Sequence, residues 1–333
     1  MSQIRMSLDE LRQLIVEIFL ARDCSPTVAG SIAAALVRAE ADGQKGHGAS
    51  RVPSYAAQAA SGKADGRAVP ELTRLGPSAA LVDAKDGFAY PALIMAQGVL
   101  KKMLVETPVA AVSIRNSHHS GVVAHHVEPL AEAGFVAISM GNTPHAIAPW
   151  GGTKGVFGTN PIGFAAPRDG RAPLVIDMSL SKVARGKINV AAQAGTDIED
   201  GWAFDADGNP TTDAKAALGG SLAPMGDAKG AQLVLMVEIL AAALSASCFG
   251  FEAASFFDAE GPAPRVGALL IGVDPGPLSS GAFGDRLETL IREILAQPGT
   301  RLPGERRRTA REAAERDGVT LPEALHQQLL SLR

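Results

Sequence analysis

Cysteine is nearly missing from this chain: Cys24 and Cys248 are the only two in 333 residues. They lie far apart, so no disulfide framework is expected, and a reducing compartment suits the protein. An excess of one charge is missing too. Lys and Arg total 31 against 35 Asp and Glu, for a net charge of −4, so nucleic acid is not an expected partner. No Gly-x-Gly-x-x-Gly follows a strand-like run, and no Gly-x-x-x-x-Gly-Lys-Ser/Thr occurs. A Rossmann dinucleotide site and a phosphate loop are therefore not expected. The longest apolar stretch, Ala231 to Cys248, is interrupted by Gln232 and Glu238. A charge in lipid is costly, so this stretch reads as a buried helix and no membrane span is expected. The N-terminus lacks the apolar core of a signal peptide. A soluble, cytoplasmic protein is the expectation.

The hydrophobic share of 46% is ordinary for a globular protein, and the length leaves room for two domains. Ser7 to Glu10 has the form of a capping box, followed by apolar residues on one helical face. Ser25-Pro26 opens a second helix running toward Ala41, and Gly43 to Ser50 reads as a loop. Tyr90 to Val105 and Val122 to Ala133 are predicted helices. Val109 to Ile114, Ala137 to Met140, Leu174 to Ile176 and Gly267 to Val273 are predicted strands, and Asp207-Gly208 is a hairpin signal. Helices and strands mix without regular βαβ alternation. The fold class is accordingly mixed α/β (α+β), not a doubly wound parallel sheet.

Four of the seven histidines, His118, His119, His125 and His126, fall within nine residues. Histidine titrates near neutrality, so the cluster points to proton transfer, metal binding or ligand contact. Adjacent histidines on an extended chain face opposite ways, and no His-Glu-x-x-His or Cys-x-x-Cys supports a metal; no metal is expected. His125 and His126 fall in the following helix and read as structural or exposed. His47 stands between Gly46 and Gly48, where a ligand can approach closely, and Arg51 can clamp a carboxylate with two parallel hydrogen bonds. A plain surface turn is the competing reading. Asp177 ends a buried strand, as either a cap or a site residue. Lys229, before the long apolar stretch, can offer its charge to phosphate, with a plain turn as the competing reading. Arg301, Arg306, Arg307, Arg308 and Arg311 form a basic patch, either a solvated face or a phosphate contact.

Taken in order, these motifs resemble the malate/L-lactate dehydrogenase family of NAD(P)-dependent oxidoreductases that lacks a Rossmann domain. The resemblance spans nearly the whole chain. It rests on His47-Gly48-x-x-Arg51-x-x-x-Tyr55, the block 117–121, Gly158 to Ile162, Asp177-Met178, Thr211 to Asp213, Lys229-Gly230 and Pro303 to Glu305. It implies a sulfolactate dehydrogenase-like fold, with a mostly antiparallel sheet in the NAD(P)-binding domain (116–284). It also implies a helical substrate and dimerisation domain (1–115 with 285–333) and a homodimer. The implied reaction moves a hydride to or from C2 of a small 2-oxo or 2-hydroxy acid of the malate, lactate or sulfolactate type. The alternative is reduction of cyclic imines, Δ1-piperideine-2-carboxylate or Δ1-pyrroline-2-carboxylate. A non-catalytic cofactor-binding protein is a third reading.

The resemblance assigns catalysis to His47 and His119, and substrate contact to Arg51, Thr159 and Gly186. It assigns contact with NAD or NADP to Ser120, Gly121, Thr143, Asp177, Met178, Ser179, Lys229, Pro303, Gly304, Glu305, Arg306 and Arg307. A histidine acid near its ordinary pKa of about 6.5 suits such a step at neutral pH. Imine reductases of the family carry a serine before the loop histidine and an aspartate beyond the Asp-Met strand end. Here Gly46 and Lys187 stand there, which favours the 2-oxo acid reading, although the stretches 116–119, 127–129 and 303–307 look close to the imine enzymes. Ala228 replaces a histidine common before the lysine, and this leaves NAD versus NADP open.

Overall fold

The computed structural model describes residues 2–333. The chain opens with β1 (Gln3–Met6), α1 (Leu8–Leu20), α2 (Pro26–Ala41), α3 (Val52–Ser61), β2 (Glu71–Arg74), β3 (Ala79–Asp83), α4 (Ala89–Glu106), β4 (Val109–Ser117) and α5 (Ala124–Ala131). Next come β5 (Val136–Gly141), β6 (Ile162–Ala166), β7 (Leu174–Met178), α6 (Arg185–Ala194), β8 (Ala203–Phe204), β9 (Pro210–Thr211), α7 (Ala214–Gly219), β10 (Ser221–Leu222) and α8 (Asp227–Glu238). It closes with β11 (Val266–Val273), α9 (Pro275–Leu278), α10 (Phe283–Leu295), α11 (Glu305–Asp317), β12 (Val319–Pro322) and α12 (Glu323–Ser331).

The local signals act as expected. Ser7 accepts from the Glu10 amide while the Glu10 carboxylate accepts from the Ser7 amide, closing the capping box of α1. Ser25 caps α2, with Pro26 at its first position. Asp207-Gly208 turns β8 back onto β9.

Seven strands form the main sheet in the order β2-β3-β4-β11-β5-β6-β7. Only β3 and β4 run parallel; every other neighbouring pair is antiparallel. The central strand β11 is apolar along its length because both its faces are covered. Ala268 and Leu270 enter one core with α1, α2, α4 and α5, while Leu269 enters a second core with α8 and residues of α6 and α7. This is the period-2 alternation of a strand applied to two helical layers.

Two expectations are corrected. The long apolar helix begins earlier and stops sooner than 231–248: α8 starts at Asp227, and after Glu238 it widens into a π-helical turn at Ile239–Ala243. The chain then breaks at Ala246, which has φ +56. Glu238 does not face solvent but is 3% exposed. The loop 43–50 is not irregular. It contains two 3-10 turns, Lys45–His47 and Ala49–Arg51. Among the described residues, no helix is long and apolar enough to cross a membrane.

Candidate active site

Strand register puts the candidate residues along one edge of the sheet. Ser117, ending β4, pairs with Val266 at the start of β11. Ala268 pairs with Gly141, ending β5. Ile162, starting β6, pairs with both Met140 and Met178. The segments 118–121, 142–161 and 179–181 therefore all leave the sheet on the same side, as does the loop leading into β11.

The His47 segment is shaped by a buried carboxylate. Glu40, 5% exposed, accepts from the Ala49 amide at 2.9 Å. A Cβ on Gly48 would fall 2.1 Å from a Glu40 carboxylate oxygen, so any larger residue there would push that carboxylate off the Ala49 amide. Burial raises the Glu40 carboxyl above its usual range, against the lowering effect of the Ala49 amide. The turn so formed stacks His47 on His119, with ring centroids 5.3 Å apart and planes inclined by 17°. Arg51 is tied back by its own Nε, which donates to the Gly46 carbonyl at 2.7 Å. Its Nη1 is buried without a hydrogen-bond partner, as is Nδ1 of His47. A buried unpaired donor is costly, and a bound carboxylate would satisfy the one on Arg51.

Three residues that sequence reasoning did not assign to the site complete this cluster. Tyr55, fully buried, hydrogen-bonds His119 Nδ1 and lies 3.4 Å from the Tyr90 hydroxyl. Gln58 Oε1 bonds His118 Nε2 at 2.8 Å. Phe256 packs on both His118 and His119, at 5.5 and 5.0 Å between ring centroids. Tyr55 lay within a motif quoted above, four residues beyond Arg51. Gln58 and Phe256 carried no local signal.

Electrostatics overturns one expectation. His47 is not an acid near 6.5: burial first, then the charge on Arg51, lower its pKa to about 4. His119 is driven well below its ordinary value by the same two causes and by neighbouring histidines. Burial, Lys63 and Arg51 bring His118 to about 3. All three are neutral at pH 7.

His125 and His126 are not exposed. Nε2 of His126 bonds the Ser120 carbonyl at 2.9 Å and Nδ1 bonds the Ser139 hydroxyl at 3.0 Å, which fixes the 120–121 turn. Gly121 takes φ +71 there. His47, Ser120, Gly121 and His126 border a cavity of about 170 Å³. His125 bonds Asp42 at 2.8 Å.

Asp42 opens a second feature not visible in the sequence. Arg311 grips it with two bonds of 2.6 and 2.9 Å and reaches Glu128 at 3.1 and 3.0 Å. Arg38 bonds Glu128 at 2.7 Å, and Arg307 lies 3.5 Å from Asp42 and 3.6 Å from Glu128. The basic C-terminal patch is thus split. Arg307, buried, and Arg311, half-buried, are ion-pair partners, whereas Arg301, Arg306 and Arg308 are exposed. With His125 neutral, three guanidinium groups meet two carboxylates.

The other candidates fall into groups. Asp177 accepts from the Ala124 amide at the start of α5, at 3.2 Å. Although that residue is exposed, surrounding protein atoms strip solvent from its carboxyl and push its pKa up. Thr143 Oγ1 accepts from the Thr159 amide at 3.0 Å, and Leu180 donates to the Thr159 carbonyl at 2.9 Å, linking Thr159 to Ser179 and Met178 beyond it in β7. Glu238 holds this turn from below, accepting from Asn160, Asn142 and the Gly250 amide at 2.7 to 3.1 Å. Pro303, Gly304, Glu305 and Arg307 line a small cleft of about 50 Å³ against Leu174 and Val175. Gly186, Lys229 and Arg306 are exposed, and none of them lines this cleft. None of these three makes a hydrogen bond or ion pair with the histidine cluster. Among the described residues no group of three or more His, Cys, Asp or Glu is arranged to hold a metal.

The family model described as malate/L-lactate dehydrogenase matches residues 6–330. The chain belongs to the malate/L-lactate dehydrogenase family. It is an NAD(P)-dependent oxidoreductase. It is 50% identical over 301 residues to a (2R)-3-sulfolactate dehydrogenase (NADP(+)) of Chromohalobacter salexigens, covering 89% of this chain and 88% of the relative. It is 41% identical over 325 residues to a Δ1-pyrroline-2-carboxylate/Δ1-piperideine-2-carboxylate reductase of Pseudomonas putida, covering 96% and 94%. The crystal structure of Δ1-piperideine-2-carboxylate reductase from Pseudomonas syringae pv. tomato superposes with a TM-score of 0.93 at 38% identity, covering 99% of this chain and all of that one. That structure therefore shares the fold described above.

Proposed function

We propose that the protein interconverts a small 2-oxo acid and its 2-hydroxy acid, of the sulfolactate type, with NADP as the preferred cofactor. One observation carries this reading: a half-buried Arg51 whose Nη1 is buried and unpartnered beside the stacked, neutral pair His47 and His119. Arg51 offers the carboxylate a planar fork of donors. The carboxylate's charge then offsets the guanidinium that depresses both histidines, so substrate binding raises their affinity for a proton. With Nδ1 of His119 engaged by Tyr55, proton exchange at that ring falls to Nε2. In oxidation the neutral imidazoles are ready to accept the hydroxyl proton; in reduction the pair returns it to the oxygen on C2.

A nicotinamide supplies or takes the hydride when bound. The chain's residues fit it. The cavity beside His47, Ser120 and Gly121 is largely apolar, as a ring requires, and Nδ1 of His47 lacks a partner beside it. Ser120, Gly121, Asp177 and the Thr143–Thr159 pair would orient this end. The cleft at Pro303 to Arg307 would receive the far end, where the excess guanidinium charge favours a phosphate. We divide the chain functionally at residues 116 and 284, with the cofactor side between them and the segment Pro303 to Arg307 joining it from the other part of the chain. The absence of a relay carboxylate weighs against the imine alternative: Lys187 lies 5.7 Å from the Trp202 ring and supplies no acid-base partner to the histidines.

Leu235, Met236, Ile239 and Leu244 are 44–60% exposed along α8 and its continuation, a stripe suited to pairing with a second copy. We infer a cytoplasmic homodimer; a sedimentation mass of one chain would exclude the pairing. The function is tested by NADPH absorbance on mixing the enzyme with sulfopyruvate, pyruvate, oxaloacetate and the two cyclic imines. Oxidation with the oxo acids is expected. Oxidation with the imines alone selects the alternative, and cofactor binding without turnover on the whole panel selects the non-catalytic reading.

A further inference from the structure

The segment before β11 crosses the site as a strapped arm. Its attachment is unusual because it is made by a buried lysine. The Lys63 side chain is 1% exposed. Its Nζ donates to the Asp258 carbonyl at 3.1 Å, the Asp258 carboxylate at 2.9 Å and the Glu260 carbonyl at 2.7 Å. All three donors of the ammonium are thereby used on one short stretch of chain. Gln58, which holds His118 with its carbonyl, donates its amide to the same Asp258 carbonyl at 2.7 Å.

What this arrangement fixes is the pair of phenylalanines just before it. Phe256 is buried against the two histidines. Phe257 is 63% exposed, and its ring lies under the Arg51 guanidinium at 4.7 Å. An exposed aromatic residue gains little from burial, so its stacking on Arg51 is the contact that accounts for its direction. A cation over an aromatic face is attracted to the ring, more strongly as solvent is excluded. Arg51 then has one tether at Nε, to Gly46, and one face on Phe257. Its buried Nη1 is left as the free edge.

We propose that Phe257 is a positioning residue for the substrate carboxylate, acting through Arg51, and that Lys63 is the strap that keeps Phe257 in place. This rests on the reading that Arg51 holds the carboxylate. Without the ring, the guanidinium is free to swing about its Nε tether, and the bidentate geometry must be organised anew for each substrate bound.

The test is steady-state kinetics of Phe257→Ala, Phe257→Leu, Phe257→Trp, Lys63→Met and Arg51→Lys with NADPH. Sulfopyruvate is the substrate, or Δ1-piperideine-2-carboxylate if wild type reduces only the imine. Phe257→Ala and Phe257→Leu are expected to raise substrate KM about 3- to 10-fold, the range of a cation–π contact. NADPH KM should stay unchanged and kcat within about 2-fold. Phe257→Trp should restore the wild-type KM, because it keeps an aromatic face. Lys63→Met should raise substrate KM in the same direction. Phe257 is exposed, so its variants keep the core intact and decide the question even if Lys63→Met fails to fold. Rescue by leucine, or an unchanged KM in Phe257→Ala while Arg51→Lys raises it, overturns the proposal. An unchanged KM in Arg51→Lys instead removes the reading on which it rests.

Discussion

Replacing Asp42 by asparagine removes one negative charge from the cluster that ties α2, α5 and α11 together. The Asp42 side chain is fully buried and accepts two bonds from Arg311 and one from His125. Burial alone would raise its pKa, but the hydrogen bonds from His125 and Arg311 and the charge on Arg311 outweigh it and hold the carboxyl at about 2. Against the ordinary 3.8, that depression is worth about 2 kcal/mol in favour of the folded, ionised form. Arg311 is raised far more than Asp42 is lowered, because it also serves Glu128; the two shifts describe shared contacts and are not added. Breaking one partner of a buried ion pair typically costs about 3–5 kcal/mol. Asparagine keeps the shape and one acceptor, so a loss of about 2–4 kcal/mol is expected. Urea denaturation at pH 7 measures it. The depressed folded pKa means that the contribution is complete above about pH 4 and fades as pH falls toward 2, so the same deficit should appear at pH 5 as at pH 7. A deficit under about 0.5 kcal/mol at pH 7 would refute the reasoning. One that vanishes already at pH 6 would point to His125 instead.

Two further outcomes follow from the histidines. His118, His119 and His126 are buried and neutral, with folded pKa values below the unfolded 6.5; those of His118 and His126 are about 3 and 4. As pH falls below 6.5 the unfolded chain takes up protons that the folded chain refuses, so stability drops. The expected slope is about 1.4 kcal/mol per pH unit for each histidine between pH 6 and 4.5, visible as a falling denaturation midpoint; stability independent of pH across that range would contradict the assignment. His47→Ala and His119→Ala are expected to differ, the true proton carrier losing about 10²–10⁴-fold in kcat with NADPH affinity retained. Full turnover in both variants would remove the pair from the chemistry.

Much of the fold was legible because its signals are local. The capping box at Ser7, the proline opening α2, the hairpin at Asp207-Gly208 and the unbroken apolar run of β11 each act within a few residues. The sheet edge that gathers residues 118–121, 142–161 and 179–181 was legible as strand ends but not as one edge, since that depends on register between strands over a hundred residues apart. In the sequence the candidate site stands as two separate pieces, His47 with Arg51 and His118 with His119; only the structure stacks His47 on His119. Buried charges were the least legible. Glu238, Lys63 and Asp42 each have partners 96 to 269 residues away, and a charged residue in sequence carries no mark of whether a distant partner will neutralise it. The same blindness made His47 look like a group titrating near neutrality, because the loss of solvent and the nearby guanidinium are properties of the assembled site.

The measurement that bears most directly on the central claim is substrate KM in Arg51→Lys, with sulfopyruvate and NADPH. Lysine keeps the charge but not the fork. A rise of about 10- to 100-fold is expected, as for loss of a charge-assisted bidentate contact, with NADPH KM unchanged. A KM near that of wild type would contradict the account, because the carboxylate would then be held elsewhere and the neutral histidine pair would lose its link to the substrate.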